Sequence, residues 1–390
     1  MIPIVSRAPR ILVVAVLLAL CGASAEGAQD LARGIIIDDV KCAADRGESY
    51  ALYLPSTYSI DRKWNLLIAF HPGARGRLMV EKYQAAAEQY GYIVAGSNTS
   101  RNGPWSVSAA AAQAMWGDLR QRFSIDAQRI YMTGLSGGAR VAMQVALGNN
   151  NIAGVIASSA GYPDSQPRAT VPFAVFGTTG TEDFNYIEMR QLDRKLTSPH
   201  YLSVFNGGHT LPPHAVALEA IEWMELQAMT SGRRTRDDAL VDRLLEKRRQ
   251  LIAASTSAGD TVHLLEALVS DFNGLRDVSP EAKRAKDLSK QPDVKKALAR
   301  ERVADDTEAR MLGDIFDLEA GLADENRHGA SLIALRERLS KLAQKAGAND
   351  DSPERSQARR VLRAITVGAA GRAADREYLK LLEQYGLRGR

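Results

Sequence analysis

Gly134-Leu135-Ser136-Gly137-Gly138 decides the reading of this chain. The run before it, Arg129–Thr133, reads as a strand, and the Ala-, Val- and Met-rich run Gly137–Leu147 after it reads as a helix. A serine between strand and helix, with a glycine two residues to either side, is the sequence form of a tight, strained turn. The glycines are needed because neighbouring backbone passes too close for side chains. The competing reading is an ordinary N-cap serine at a Gly-rich helix start; the strand ahead favours the strained turn. Ser136 is the candidate nucleophile.

On both sides of this turn, strand-like and helix-like segments alternate from Gly34 to about Met229. Gly34–Val40, Tyr50–Leu54, Asn65–His71, Tyr92–Gly96, Ile152–Ser158, Val171–Phe176 and Tyr201–Phe205 read as strands. Met79–Tyr90, Ser106–Phe123, Tyr186–Leu196 and His214–Ala228 read as helices. Short strands alternating with helices imply an α/β fold, a mostly parallel, doubly wound sheet covered on both faces. Chemistry in such a sheet belongs at the carboxyl ends of its strands.

Three further loops fall there. His71-Pro72-Gly73-Ala74 follows the strand Asn65–His71 and is placed to give one backbone N–H to an oxyanion. Pro72 has no N–H, so the donor is Gly73 or Ala74, with Gly73 favoured; Gly137, next to the serine, supplies the second. His71 reads as a structural histidine under the loop. Asp183 follows the strand Val171–Phe176 and precedes an aromatic and a helix; the adjacent Glu182 is the alternative acid, and a plain helix-dipole charge is the bland reading. His209 sits in the Gly/Pro-framed loop Asn206–Pro213, whereas His200 and His214 are worse placed. Trp105, after Tyr92–Gly96, reads equally as a pocket wall or as a packed helix-start residue.

Ser136, Asp183 and His209 occur in the chain order of the α/β-hydrolase triad. With Tyr50–Pro55, the His71-Pro72-Gly73 loop, Gly134–Gly138 and Gly207-Gly208-His209, the chain resembles the secreted serine esterase branch of the α/β-hydrolase superfamily, the polyhydroxybutyrate-depolymerase-like and feruloyl-esterase-like enzymes. The resemblance spans roughly residues 34–229. It departs at Pro72, where the family usually has glycine, and at Gly137, where Ala, Met or Gln is frequent. It implies an acyl-enzyme on Ser136, His209 as general base, Asp183 orienting the imidazole, and no metal or organic cofactor. Only Gly161–Thr170 separates two of the strands, leaving no room for a helical cap there. An open site suits a small-molecule or polymer-linked ester.

Arg7 and Arg10, the apolar run Ile11–Leu20 and Ala23-Ser24-Ala25 read as a cleavable signal peptide over residues 1–25. The apolar run is too short to span a bilayer, so no stable membrane span is expected once the leader is removed, and the protein is expected to be exported, periplasmic or secreted. A lipoprotein through Cys21 ranks below this, because Leu18-Ala19-Leu20 puts a bulky Leu where such sites usually have a small residue. Cys42 then remains as the sole thiol and reads as buried and unreactive.

Beyond a catalytic domain over residues 30–230, the composition changes. Residues 231–390 carry 31 basic and 27 acidic side chains, against 19 of each before them, and all four tryptophans precede the change. Ala239–Ala253, with apolar Leu240, Val241, Leu244, Leu245 and Leu251, has a helical period. Further helices are expected near Thr261–Phe272, Asp293–Leu322, Ser331–Ala346, Pro353–Val367 and Ala373–Tyr385. Ser279-Pro280-Glu281 and Ser352-Pro353-Glu354 read as helix starts. This charged helical domain, a bundle or irregular repeat, is a candidate docking module for a protein or envelope partner. His263 and His328 read as ordinary residues. A formal net charge of +4 over 390 residues argues against a nucleic-acid partner. The competing functions are a serine peptidase or amidase of the same fold, and a catalytically inactive hydrolase-fold scaffold.

Overall fold

Strand β3 (Trp64–Phe70) is buried at every residue, as a mostly apolar central strand should be. The computed structural model describes residues 31–163, 168–349, 352–369 and 375–387; the segment read as a leader, with Cys21, lies outside them. Seven more strands join β3: β1 (Ile36–Lys41), β2 (Ser49–Tyr53), β4 (Tyr92–Ser97), β5 (Ile125–Leu135), β6 (Ile152–Ser158), β7 (Ala174–Gly180) and β8 (His200–Phe205). The spatial order is β1-β2-β4-β3-β5-β6-β7-β8. The β1–β2 and β2–β4 pairs are antiparallel, and the pairs from β4 through β3 to β8 are parallel. With helices on both faces this is the α/β-hydrolase fold.

Two apolar cores cover the two faces. One packs the sheet against α2 (Trp105–Arg122), α3 (Gly137–Leu147) and α4 (Tyr186–Lys195), through Met115, Leu119, Met143 and Leu192. The other uses α1 (Gly76–Tyr90) and α5 (His214–Thr230), through Met79, Tyr83, Ile221 and Trp223.

The strand expected over Val171–Phe176 forms instead over Ala174–Gly180. The stretch Gly177-Thr178-Thr179-Gly180 is strand and fully buried, although its glycines suggest a loop. They serve packing: a Cβ on Gly180 would stand 2.3 Å from the carbonyl oxygen of Gly207. β-Branched threonines fill the pleat between them.

From residue 238 the chain is helical: α6 (Asp238–Ala254), α7 (Ala258–Phe272), α8 (Ser279–Ser289), α9 (Pro292–Gly321), α10 (His328–Ala346), α11 (Pro353–Ala369) and α12 (Arg376–Gln384). The start signal at Ser279-Pro280-Glu281 opens α8, with Ser279 as its first residue rather than its cap. Asp237, Ser257 and Asp375 cap α6, α7 and α12 by accepting backbone N–H groups. In α6 the inward positions include Ile252 and Arg248, while Leu251 is exposed.

These helices share cores with the sheet's own helices. Leu226 and Met229 of α5 pack with Val241, Leu245, Leu268 and Phe272. Ile187 of α4 packs with Ile315, Leu335, Val361 and Tyr378. His263 pairs with Glu301 at 2.9 Å and His328 with Asp375 at 2.7 Å. No described helix is long and apolar enough to cross a membrane, and no cluster of metal-ligating side chains occurs among the described residues.

Candidate active site

Ser136 joins β5 to α3 with φ 53° and ψ −122°, a conformation that costs a non-glycine residue energy. Backbone contacts impose it. A Cβ on Gly134 would stand 2.2 Å from the carbonyl carbon and oxygen of Gly138, and one on Gly138 would stand 2.2 Å from the Phe70 carbonyl oxygen. The Ser136 N–H donates to Ser158 O at 2.8 Å, tying the turn to the end of β6. The other non-glycine residues with positive φ, among those described, are Ala74 (56°) and Ser159 (58°). Both also follow strands at this edge, so backbone strain concentrates where the sheet offers its carboxyl ends.

Asp183 is fully buried just past β7. Its Oδ1 lies 2.8 Å from His209 Nδ1 and accepts the Asn185 N–H at 2.8 Å. The Asn185 side chain in turn donates to Ser159 O at 2.7 Å. The Phe184 ring stacks on the imidazole, with centroids 3.9 Å apart and planes 25° from parallel. His209 is thus fixed by a carboxylate at one nitrogen and an aromatic face, which leaves Nε2 as the nitrogen for proton transfer. Glu182 is engaged elsewhere, 3.0 Å from Arg363 and 3.6 Å from Arg359. Arg140 of α3 binds both Glu188 oxygens, at 2.8 and 2.7 Å, so the serine's helix is braced against the helix that follows Asp183.

The loop after β3 corrects one expectation. The Gly73 N–H donates to His71 Nδ1 at 2.9 Å, and the Ala74 N–H to His71 O at 3.1 Å. Gly73 therefore does not present a free donor in this structure. With no N–H on Pro72, the His71 ring folds back and takes the next one. Burial, aided by the nearby Arg75 charge, holds the His71 imidazole below its ordinary range, in the neutral form that accepts this bond. Gly137, by contrast, opens α3, where first-turn N–H groups have no intrahelical acceptor.

Asn102 was not singled out from the sequence. Its side-chain oxygen lies where a Cβ on Gly137 would intrude, 1.8 Å away. Its own N–H donates to Pro72 O at 2.8 Å, and its neighbour Arg101 bridges Gly73. Asn102 thus joins the two loops, and its side chain fills the space beside Gly137. The only signal for it was its place three residues before Trp105, in the loop after Tyr92–Gly96. Trp105 begins α2 and is half-exposed beside this loop.

No protein-family model and no curated protein sequence matches this chain. Among solved structures it is similar to a thermostable esterase, at 19% identity over 49% of this chain and 62% of that one, with a TM-score of 0.36. It thus spans less than two thirds of that protein. It is also similar to Est1E from Butyrivibrio proteoclasticus, at 16% identity over 49% of this chain and 99% of that one, with a TM-score of 0.40. Esterase B from Lactobacillus rhamnosis gives 15% identity over 51% and 88%, with a TM-score of 0.41.

Proposed function

We propose that this chain is an exported serine hydrolase that cleaves carboxylic esters through an acyl-enzyme on Ser136. The observation that carries the reading is the strained Ser136 turn at the same sheet edge as the Asp183–His209 pair. Ser136 Oγ attacks the ester carbonyl while His209 takes its proton and then returns it to the leaving alcohol. Asp183 holds the imidazole tautomer and stabilises the imidazolium. The Gly137 N–H, at the positive end of α3, stabilises the tetrahedral oxyanion, a contribution of about 3–4 kcal/mol per donor. Gly73 joins it only by leaving His71. Water then hydrolyses the acyl-enzyme.

The test is labelling by a fluorophosphonate together with hydrolysis of a short p-nitrophenyl ester. The wild type should show both, and Ser136→Ala neither. Labelling or turnover that persists unchanged in Ser136→Ala overturns the assignment.

A further inference from the structure

Thr181 and Glu182, the two residues before Asp183, are held from two sides. Their N–H groups donate to the histidine loop, Thr181 to Phe205 O at 2.9 Å and Glu182 to Gly207 O at 2.8 Å. Their carbonyls accept from helix α11, about 180 residues further along the chain. Arg360 Nη1 donates to Thr181 O at 2.8 Å, and Arg363 Nη1 to Glu182 O at 2.7 Å. Arg363 Nη2 also lies 3.0 Å from the Glu182 carboxylate. A Cβ on Gly208 would be 3.7 Å from Arg363 Nη1, so this side chain lies beside the residue preceding His209 as well.

Arg360 is itself immobilised. Its guanidinium binds both oxygens of the buried Glu308 on α9, at 2.8 and 2.5 Å, and lies 4.3 Å from the centre of the Tyr186 ring. Bidentate, charge-assisted bonds of this kind fix geometry as well as adding energy. Arg360 is therefore a preset donor aimed at the backbone that carries the triad acid, and the more exposed Arg363 is held there by its ion pair with Glu182.

We propose that Arg360 and Arg363 are positioning residues for the hydrolytic reaction, holding the Thr181–Asp183 loop so that Asp183 Oδ1 meets His209 Nδ1. The helical region then acts within the active site of its own chain. This rests on the reading of Ser136, Asp183 and His209 as the triad. Displacements of about 1 Å at a catalytic constellation cost orders of magnitude in rate, which gives the clamp its leverage.

The test uses the full chain with Arg363→Ala, Arg363→Lys, and a double variant, Arg360→Met with Glu308→Leu, which removes the buried pair as a unit. Ser136→Ala runs in parallel. Arg363→Ala should lower kcat about tenfold with KM within about twofold of wild type, and Arg363→Lys should recover part of it. The double variant should fall further while its thermal transition persists; if it does not fold, Arg363→Ala decides. Arginine variants with wild-type kcat, beside a Ser136-dependent wild type, overturn the clamp alone. Absence of Ser136-dependent turnover in the wild type overturns the triad reading, and the clamp with it.

Discussion

Gly134 and Gly138 approach so closely that a side-chain carbon on the first would lie 2.2 Å from the carbonyl carbon of the second. Both obstacles around this pair are backbone, which cannot step aside without breaking the β3–β5 edge. Gly134→Ala and Gly138→Ala should each destabilise the protein by about 3 kcal/mol or more in denaturant unfolding. Gly137→Ala meets only the tip of the exposed Asn102 side chain. It should cost under about 1 kcal/mol, and less still combined with Asn102→Ala. Equal losses at all three glycines would show that something other than backbone proximity sets these positions.

Asp183 and Glu182 are adjacent carboxylates with opposite surroundings, one fully buried against His209 and the other on the arginines of α11. Asp183→Asn keeps the shape but favours the wrong imidazole tautomer, so kcat should fall by about 10⁴-fold. Glu182→Gln leaves both loop carbonyls with their arginine donors and should cost less than about tenfold. A variant pair with the reverse ranking would make Glu182 the acid.

Ser136, Asp183 and His209 stand out as candidates because each is local: a strand end, a loop and one reactive side chain. The turn at Ser136 needs only its own pentapeptide and the flanking elements. Strand β7 was misplaced because Gly177 and Gly180 punctuate loops in most sequences, whereas here they admit Gly207 and the Met189 side chain. Asn102, Arg360 and Arg363 were invisible for another reason. Their roles depend on partners 30 to 181 residues away, and an arginine on a charged helix looks the same whether it faces water or a loop carbonyl. Arg248 shows this within one helix: the period places position 248 inward, but no pattern says that a charge will be buried there.

Cys42 is fully buried next to Asp118, and burial followed by that carboxylate pushes its thiol up to about 11. At pH 8 the thiolate fraction is on the order of 10⁻³, and reagents have no access. In a Cys21→Ser chain, native protein should resist iodoacetamide at pH 8, and denaturant should expose one reactive thiol. Rapid labelling of the native chain would mean that the β1–β2 edge opens.

Asp271 on α7 lies behind the strand that leads to His209, accepting the Trp223 indole N–H at 2.8 Å and facing Arg248, which lies over the Tyr201 ring. Burial dominates and pushes this carboxyl up to about 6, against an ordinary 3.8, with Arg248 pulling the other way. Between about pH 4 and 6 the folded state therefore keeps a proton that the unfolded chain has lost. The stability from that proton is fully present below about 4 and disappears as pH rises through 6. Asp271→Asn retains an acceptor for Trp223 and removes the titration. The wild-type unfolding free energy minus that of Asp271→Asn should therefore fall with pH across this window, with a steepest slope of about 1.2 kcal/mol per pH unit, and be flat above it. Urea unfolding of both proteins across the window measures this, since titrations common to the two cancel. A difference that rises with pH would mean that Arg248 outweighs burial and that Asp271 is ionised throughout.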